Sequence, residues 1–291
     1  MTSTSRPKMQ RAGMGDSRYT WSTFGLQLLG LAVSFFFLFP FLMIINNSFK
    51  SQRELLMNPP LSMPSSFGFT NYVNAWKKLN LGVAFSNSLF YTVVAVVLIA
   101  LLCTITAWAI ARGKGKLFRA SRVYFLIGIL IPSQALCLPI YILWNSFGLI
   151  NTNFGLIALY ISTGLSFGIF LQTNFMSTVP VDIEEAAQID GCSVYRTFFS
   201  IVLPLLRAPM STLIIVQSFS IWNDYMLTNL MIQSTPRRTV TLALKTLFSS
   251  TANDYATAMA AIILAATPII ILFVALQKQF VKGMTMGAVK G

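Results

Sequence analysis

Four of the eight acidic residues in this 291-residue chain fall within nine positions: Asp182, Glu184, Glu185 and Asp190. They lie between two long apolar runs, so this is the one stretch where charge is concentrated at a boundary. Asp182 and Glu185 have the spacing of a capping box, which would start a helix at Ile183. Gly191 fits the left-handed residue that ends a short helix. Ser193 fits the cap of a second helix, whose apolar residues Val194, Phe198, Ile201, Val202 and Leu205 recur at helical spacing. Ala186 and Ala187 leave a patch without bulk, where another backbone can approach closely. The expectation is two short helices meeting at a glycine bend, with acidic side chains facing water: a docking surface on a membrane protein.

A second set of polar groups interrupts otherwise apolar runs: Gln134, Gln217, Asn223 and Asp224, with Trp222 adjacent and Asn87 near a run's end. Unsatisfied polar groups in hydrocarbon are costly, so each either lines a pathway or hydrogen-bonds between helices. Histidine is absent, which excludes histidine-based metal sites, proton relays and triads. Cys103, Cys137 and Cys192 stand too far apart for metal-ligand or redox spacing, and they read as small apolar residues. Gly113-Lys114-Gly115-Lys116 lacks the spacing and the hydroxyl residue of a phosphate loop. It reads as orientation charge, and no Walker motif occurs elsewhere.

The elements that must carry these groups are membrane helices. The chain is 55% hydrophobic and 10% charged, with a mean hydropathy of +0.68, where a soluble domain carries about a quarter charged residues. Uncharged runs at 24–46, 86–111, 123–143, 154–177, 208–231 and 255–277 are each long enough to span as helices. The fifth is interrupted by Asn223 and Asp224. Residues 24–46 are too long for a signal-peptide core and lack a small-residue cleavage site, so they are expected to stay as an anchor. The expected organisation is a polar segment 1–23, a first span 24–46, an outer capping region 47–85, a core 86–280 with the charged loop at 178–204, and a tail 281–291. The net charge of +13 is distributed around span ends rather than as a stripe, which argues against nucleic acid. Arg6, Lys8, Arg11, Arg18, Arg112, Lys114, Lys116, Arg119, Arg122, Arg196, Arg207, Lys278, Lys282 and Lys290 collect on one face, fourteen of twenty-one basic residues. That face, with both termini, is expected to be cytoplasmic. Trp21, Trp108 and Trp144 suit an interfacial belt.

Glu185-Ala186-Ala187, Gly191, Ile201 and Leu203-Pro204 resemble the EAA loop of bacterial ABC importer permeases, with Glu184 and Asp190 alongside. Asn87-Ser88-Leu89, Gly148-Leu149-Ile150-Asn151-Thr152 and Trp222-Asn223-Asp224-Tyr225 are similar to the carbohydrate-importer branch. The ending Gly283 to Gly291 is similar to the tail of the smaller permease in maltose-type systems. The resemblance covers nearly the whole chain and implies an all-α integral membrane protein with the type I importer fold: six transmembrane helices and a cytoplasmic EAA coupling-helix loop. It implies location in the bacterial inner membrane, a homologous second permease, two ATP-binding-cassette subunits holding ATP and magnesium, an extracytoplasmic solute-binding protein, and a carbohydrate cargo. It implies no catalytic residue, metal or cofactor on this chain. The loop residues would couple to the ATPase, and Gly287, Ala288, Val289, Lys290 and Gly291 of the tail would reach it. In such a protein Trp222 and Asn223 would offer a sugar a ring face and hydrogen bonds, or Trp222 would be an interfacial anchor. The rival class is an ion-coupled secondary transporter or channel, which needs a carboxylate near mid-membrane or internal repeats. Asp224, near a span end, is the one span carboxylate, and no repeat relates the halves.

Overall fold

The computed structural model describes residues 21–248 and 254–288, without the side chains of Ser22 and residues 278–288. Its helices are α1 (Trp21–Ser48), α2 (Gln52–Met57), α3 (Thr70–Lys78), α4 (Leu81–Arg112), α5 (Lys116–Leu130), α6 (Cys137–Ser146), α7 (Asn153–Met176), α8 (Asp182–Ile189), α9 (Val194–Thr197), α10 (Leu203–Leu205), α11 (Arg207–Trp222), α12 (Met226–Met231), α13 (Val240–Leu244) and α14 (Tyr255–Ala288). No strand occurs among the described residues. Two units are distinguished, one ending at Ile44 and one beginning at Ile45; the first is the apolar bulk of α1.

Four helices are long and apolar enough to cross a membrane: Thr23–Ser48, Leu81–Arg112, Asn153–Met176 and Tyr255–Gln277. Two bent pairs raise the number to six when each is one broken span. The expected third span, 123–143, is therefore not one helix. It stops at Leu130, turns through 93°, and resumes as a 3-10 turn at Ser133–Leu136 followed by α6. The cause is local: Ile131 precedes Pro132, and the proline ring drives it to an extended conformation, φ −83° and ψ 117°. The expected fifth span, 208–231, ends at Trp222 and is preceded by a 74° bend at Leu206. The second begins five residues earlier than expected, at Leu81, after Asn80 in the left-handed conformation at φ 48°.

In the second unit α4, α7 and α11 pack around Ile99, Cys103, Leu159, Ile169 and Leu213, all buried. The close approach of α4 and α7 depends on glycine: a Cβ at Gly168 would lie 2.4 Å from Cys103 Sγ, and one at Gly164 2.7 Å from Ile99 Cδ1. α14 packs on α11 and α3. The 47–85 region is a folded polar and aromatic knot. Asn71 donates to the carbonyls of Ser48 (2.7 Å) and Lys50 (2.8 Å), Lys50 Nζ donates to Pro60 O, and Phe49 meets the rings of Phe67, Phe69 and Tyr72.

Glu54 clasps this knot together. It completes a capping box with Ser51 and accepts from the amides of Ser51 (2.6 Å) and Ser65 (2.9 Å). Hydrogen bonds from Ser65 first, then Ser51, lower its pKa from 4.5 to about 2. A depressed carboxylate stabilises the fold fully above its unfolded value and loses that contribution as pH falls through the folded one. The clasp should therefore be complete above pH 4.5 and open only toward pH 2. Carboxyl 13C NMR of Glu54 should titrate with a midpoint near 2; a midpoint near 4.5 would show that the clasp is not formed.

Candidate functional site: the docking elbow and the polar cavity

The elbow forms from short-range rules, with one departure at its start. The helix begins at Asp182 rather than Ile183, and Val181 occupies the cap position with no side-chain cap. The Val181 carbonyl takes the amides of Glu184 (2.8 Å) and Glu185 (3.1 Å). Asp182 is thus already helical, and its expected capping box with Glu185 does not form. Asp182, Glu184 and Glu185 instead occupy the first turn, where the helix dipole favours negative charge. At the other end Gly191 has φ 79°. Its amide bonds to Gln188 O (3.0 Å) and that of Cys192 to Ala187 O (2.9 Å), the paired pattern of a left-handed helix stop. Ser193 Oγ accepts from Arg196 N and caps α9.

The second arm is not one regular helix. After four residues α9 widens into a π-turn over Phe198–Val202 before α10. Phe198, Val202 and Leu206 are buried with Met176, and Trp108, Phe175 and Leu203 pack around them. Ile201, Leu203 and Pro204 are half-buried, while Val194 and Leu205 are exposed.

The acidic side chains do not all face water, which corrects the expectation for Glu184. Asp182, Glu185, Ala186 and Asp190 are exposed, but Glu184 and Ala187 are buried. Glu184 Oε1 accepts from Arg112 Nε at 2.8 Å and pairs with Arg112 Nη2 at 2.8 Å. Its Oε2 accepts from Trp108 Nε1 at 2.8 Å. Arg112 Nη2 also donates to Val179 O, and the Trp108 ring lies 5.0 Å from that of Phe198. Trp108, expected in an interfacial belt, is thus spent on joining both arms of the elbow to α4. Trp108 and Arg112 are four residues apart on one helix face, the signal that could have paired them with an acidic residue.

At the opposite ends of these helices a cavity of about 320 Å³ opens between α7, α11 and the turn before α6. Ser133, Gln134, Tyr160, Thr163, Gln217, Ser220 and Asp224 supply its polar groups. It brings together three of the six polar candidates, from positions up to 90 residues apart. Gln217 is buried and donates to Gly164 O at 3.4 Å. Asp224 is held fast: Oδ1 accepts from Leu227 N (3.2 Å), and Oδ2 from Thr228 N (2.9 Å), Thr228 Oγ1 (2.8 Å) and Tyr160 Oη (2.9 Å). The carboxylate caps α12 and aims the tyrosine.

The other three candidates lie elsewhere. Trp222 is buried, donates to Ala265 O (3.1 Å) and stacks on Phe85, so its ring offers no free face. Asn223 is exposed and donates back to Phe219 O. Asn87 donates to the carbonyls of Pro236 and Arg238 and pins a loop. Sequence reasoning missed Tyr160, Thr163 and Ser220; their spacings of three and four from one another or from Gln217 and Asp224 put them on the same helix faces. A larger cavity of about 480 Å³, lined by Ile215, Val216, Phe219, Ile270 and Phe273, has nothing with which to orient a polar solute. Of the expected tail contacts, Gly287 and Ala288 end α14; Val289, Lys290 and Gly291 lie outside the described residues. Among the described residues no group of histidine, cysteine or acidic side chains could hold a metal.

Residues 104–286 match the model of the binding-protein-dependent transport system inner membrane component family. The chain belongs to that family. Among similar permeases is the probable starch degradation products transport system permease AmyC of Thermoanaerobacterium thermosulfurigenes, 36% identical over 91% of this chain and 96% of that protein. The melibiose/raffinose/stachyose import permease MelC of Bacillus subtilis is 32% identical over 91% and 96%. The diacetylchitobiose uptake permease NgcG of Streptomyces coelicolor is 30% identical over 95% and 91%. In fold, this permease is similar to a chain of a bacterial ABC transporter that imports the acidic polysaccharide alginate, with a TM-score of 0.78, 21% identity, and 90% of this chain and 99% of that one covered. The similarity extends to the alginate ABC transporter solved with its pentasaccharide-bound periplasmic protein, at a TM-score of 0.65, 14% identity and coverage of 88% and 92%. The permease is an integral, multi-pass membrane protein with the type I ABC importer fold.

Proposed function

We propose that this permease forms half of the translocation pathway of an ATP-driven importer of neutral oligosaccharides. The observation that carries this reading is the cavity. Its polar lining is amide and hydroxyl groups, and its one carboxylate is already engaged in four hydrogen bonds within the fold. Such a lining matches a polyhydroxylated, uncharged cargo, and the similar permeases are named for starch degradation products, melibiose/raffinose/stachyose and diacetylchitobiose. A second, homologous permease completes the pathway. Two ATP-binding-cassette subunits holding ATP and magnesium dock on the elbow, and an extracytoplasmic binding protein delivers the sugar, as a periplasmic protein does beside the alginate transporter. The elbow face and both termini are cytoplasmic, in keeping with the basic residues gathered there. The C-terminal tail reaches the ATPase subunits on that face. An ion-coupled carrier is disfavoured because both oxygens of Asp224 are engaged in hydrogen bonds within the fold.

The assembled transporter in sealed vesicles should take up an oligosaccharide only when ATP is supplied on the elbow side. Glu185, exposed on the elbow, presents charge to a basic group on the ATPase. Glu185→Gln should weaken ATPase docking roughly thirtyfold, since removing one member of an interfacial charge pair costs about 2 kcal/mol. A Cβ at Gly191 meets nothing within 4 Å, so Gly191→Val acts only through its backbone, at about 1–3 kcal/mol. It should uncouple hydrolysis from uptake more severely than Glu185→Gln, and Gly191→Asn, which tolerates the left-handed conformation, should be milder. Uptake driven by an ion gradient, or full coupling in both Glu185→Gln and Gly191→Val, would overturn the reading.

A further inference from the structure

α4 is held at both ends by hydrogen bonds to other elements. At its inner end Arg112 and Trp108 close on both oxygens of Glu184, and Arg112 also holds Val179 O. The pair is largely shielded, with side-chain exposures of 18% and 7%. With Arg112 on Oε1 and Trp108 on Oε2, the carboxylate is held in direction as well as distance by charge-assisted hydrogen bonds. Because the Trp108 ring also lies against Phe198, any displacement of either elbow arm pushes or pulls the same turn of α4.

At its outer end α4 holds one loop with three side chains, those of Asn87, Ser88 and Tyr91. Asn87 donates to Pro236 O (2.8 Å) and Arg238 O (3.0 Å). Ser88 Oγ accepts from Val240 N (2.9 Å). Tyr91 Oη lies 2.8 Å from Asn153 Oδ1 and 3.3 Å from Arg237 O. This loop leads into α13, where Thr241 Oγ1 donates to the carbonyl of Asp224 at 2.6 Å. Asp224 in turn orients Tyr160 on the cavity wall. α4 has 32 residues and no proline, so its two grips, Ser88 and Arg112, are joined by about 36 Å of uninterrupted helix.

We propose that α4 is the strut that carries movement of the docking elbow to the outer loop and the cavity wall, with Arg112 and Trp108 as the inner coupling and Ser88 and Tyr91 as the outer one. This rests on reading the elbow as the ATPase dock. A rigid secondary element held at both ends is one physical carrier of coupling between sites, and here that element is one helix. Arg112, Trp108, Ser88 and Tyr91 position other groups and touch no cargo.

The test uses the whole transporter, reconstituted with its own ATPase subunits, second permease and binding protein, and reads sugar transported per ATP hydrolysed. Arg112→Gln should lower that ratio roughly tenfold while the ATPase subunits still co-purify. Ser88→Ala combined with Tyr91→Phe, which touches neither elbow nor cavity, should lower it by a similar factor. All three changes together should be no worse than either set alone, because one strut is cut once. A combined loss equal to the product of the two overturns the strut, as does a wild-type ratio in the outer-end variant. Should Arg112→Gln fail to assemble, the outer-end variant decides the question by itself. A wild-type complex without ATP-driven uptake would overturn the functional reading and the strut with it; intact wild-type coupling with unaffected variants would overturn the strut alone.

Discussion

Asp224→Ala is expected to destabilise the permease by about 3 kcal/mol or more and to abolish uptake. The carboxylate accepts from two backbone amides and two hydroxyls at the break between α11 and α12. Removing it strips α12 of its cap, worth about 1 kcal/mol. It also leaves the amide and hydroxyl of the fully buried Thr228, and the hydroxyl of Tyr160, without their charged acceptor. Hydrogen bonds to a charged group contribute about 1.5–3 kcal/mol, and an unsatisfied buried partner costs its desolvation. These terms overlap because Tyr160 and Thr228 also meet each other at 2.7 Å, so the total falls well short of their sum. Thermal unfolding in detergent should fall by roughly 6–12 °C. Asp224→Asn keeps one acceptor oxygen and the volume, and should lose about half as much. Tyr160→Phe removes one donor only and should lose least in stability. An Asp224→Ala protein that melts within a degree of wild type would mean that the network carries no weight.

Gly168→Val is expected to be as damaging, by a different route. Gly168 sits where α7 meets both α4 and α11: an added Cβ would lie 2.4 Å from Cys103 Sγ, 3.2 Å from Cys103 Cβ and 3.2 Å from Leu213 Cδ1. No real Cβ contact is as short as 2.4 Å, and Cys103 is fully buried. α7 would have to move away from α4 as a unit, which also lifts Gly164 off Ile99 one turn earlier. Small residues that let membrane helices meet closely are favoured because van der Waals contact replaces the hydrophobic drive absent between helices in lipid. Overpacking of this kind costs about 1–3 kcal/mol where neighbours can yield, and the upper end applies where they cannot. The amount of assembled permease in membranes should fall several-fold. Gly168→Ala should be milder, and Cys103→Ala in the same chain should recover most of that loss by removing the sulfur. No recovery would mean that the contact is not what limits the helix pair.

Much of this protein follows from its sequence alone, because the rules involved act within one or two helical turns. Runs of about twenty uncharged residues leave a chain no option but to span, so 24–46, 86–111, 154–177 and 255–277 reappear in the helices Trp21–Ser48, Leu81–Arg112, Asn153–Met176 and Tyr255–Ala288. Gly191 and Ser193 place the elbow's bend and second cap by local backbone chemistry, and both are as expected. The break before Pro132 was legible by the same logic, since a residue before proline is pushed out of the helical region, yet hydropathy masked it by running on unbroken through both halves. What only the tertiary structure decided is rotation and partnership. Glu184 and Glu185 are neighbours with the same chemistry, and a 100° step around one helix sends the first into Arg112 and Trp108 and leaves the second exposed. Trp222 and Asp224 read alike as candidates for the pathway. Packing buries the first against Ala265 and Phe85 and sets the second on the cavity wall as the hub of a hydrogen-bond network. Gln134 and Gln217 share that cavity because α6's turn and α11 fold to the same end of α7, and the angle at which whole helices meet is set by the packing of side chains far apart in the chain.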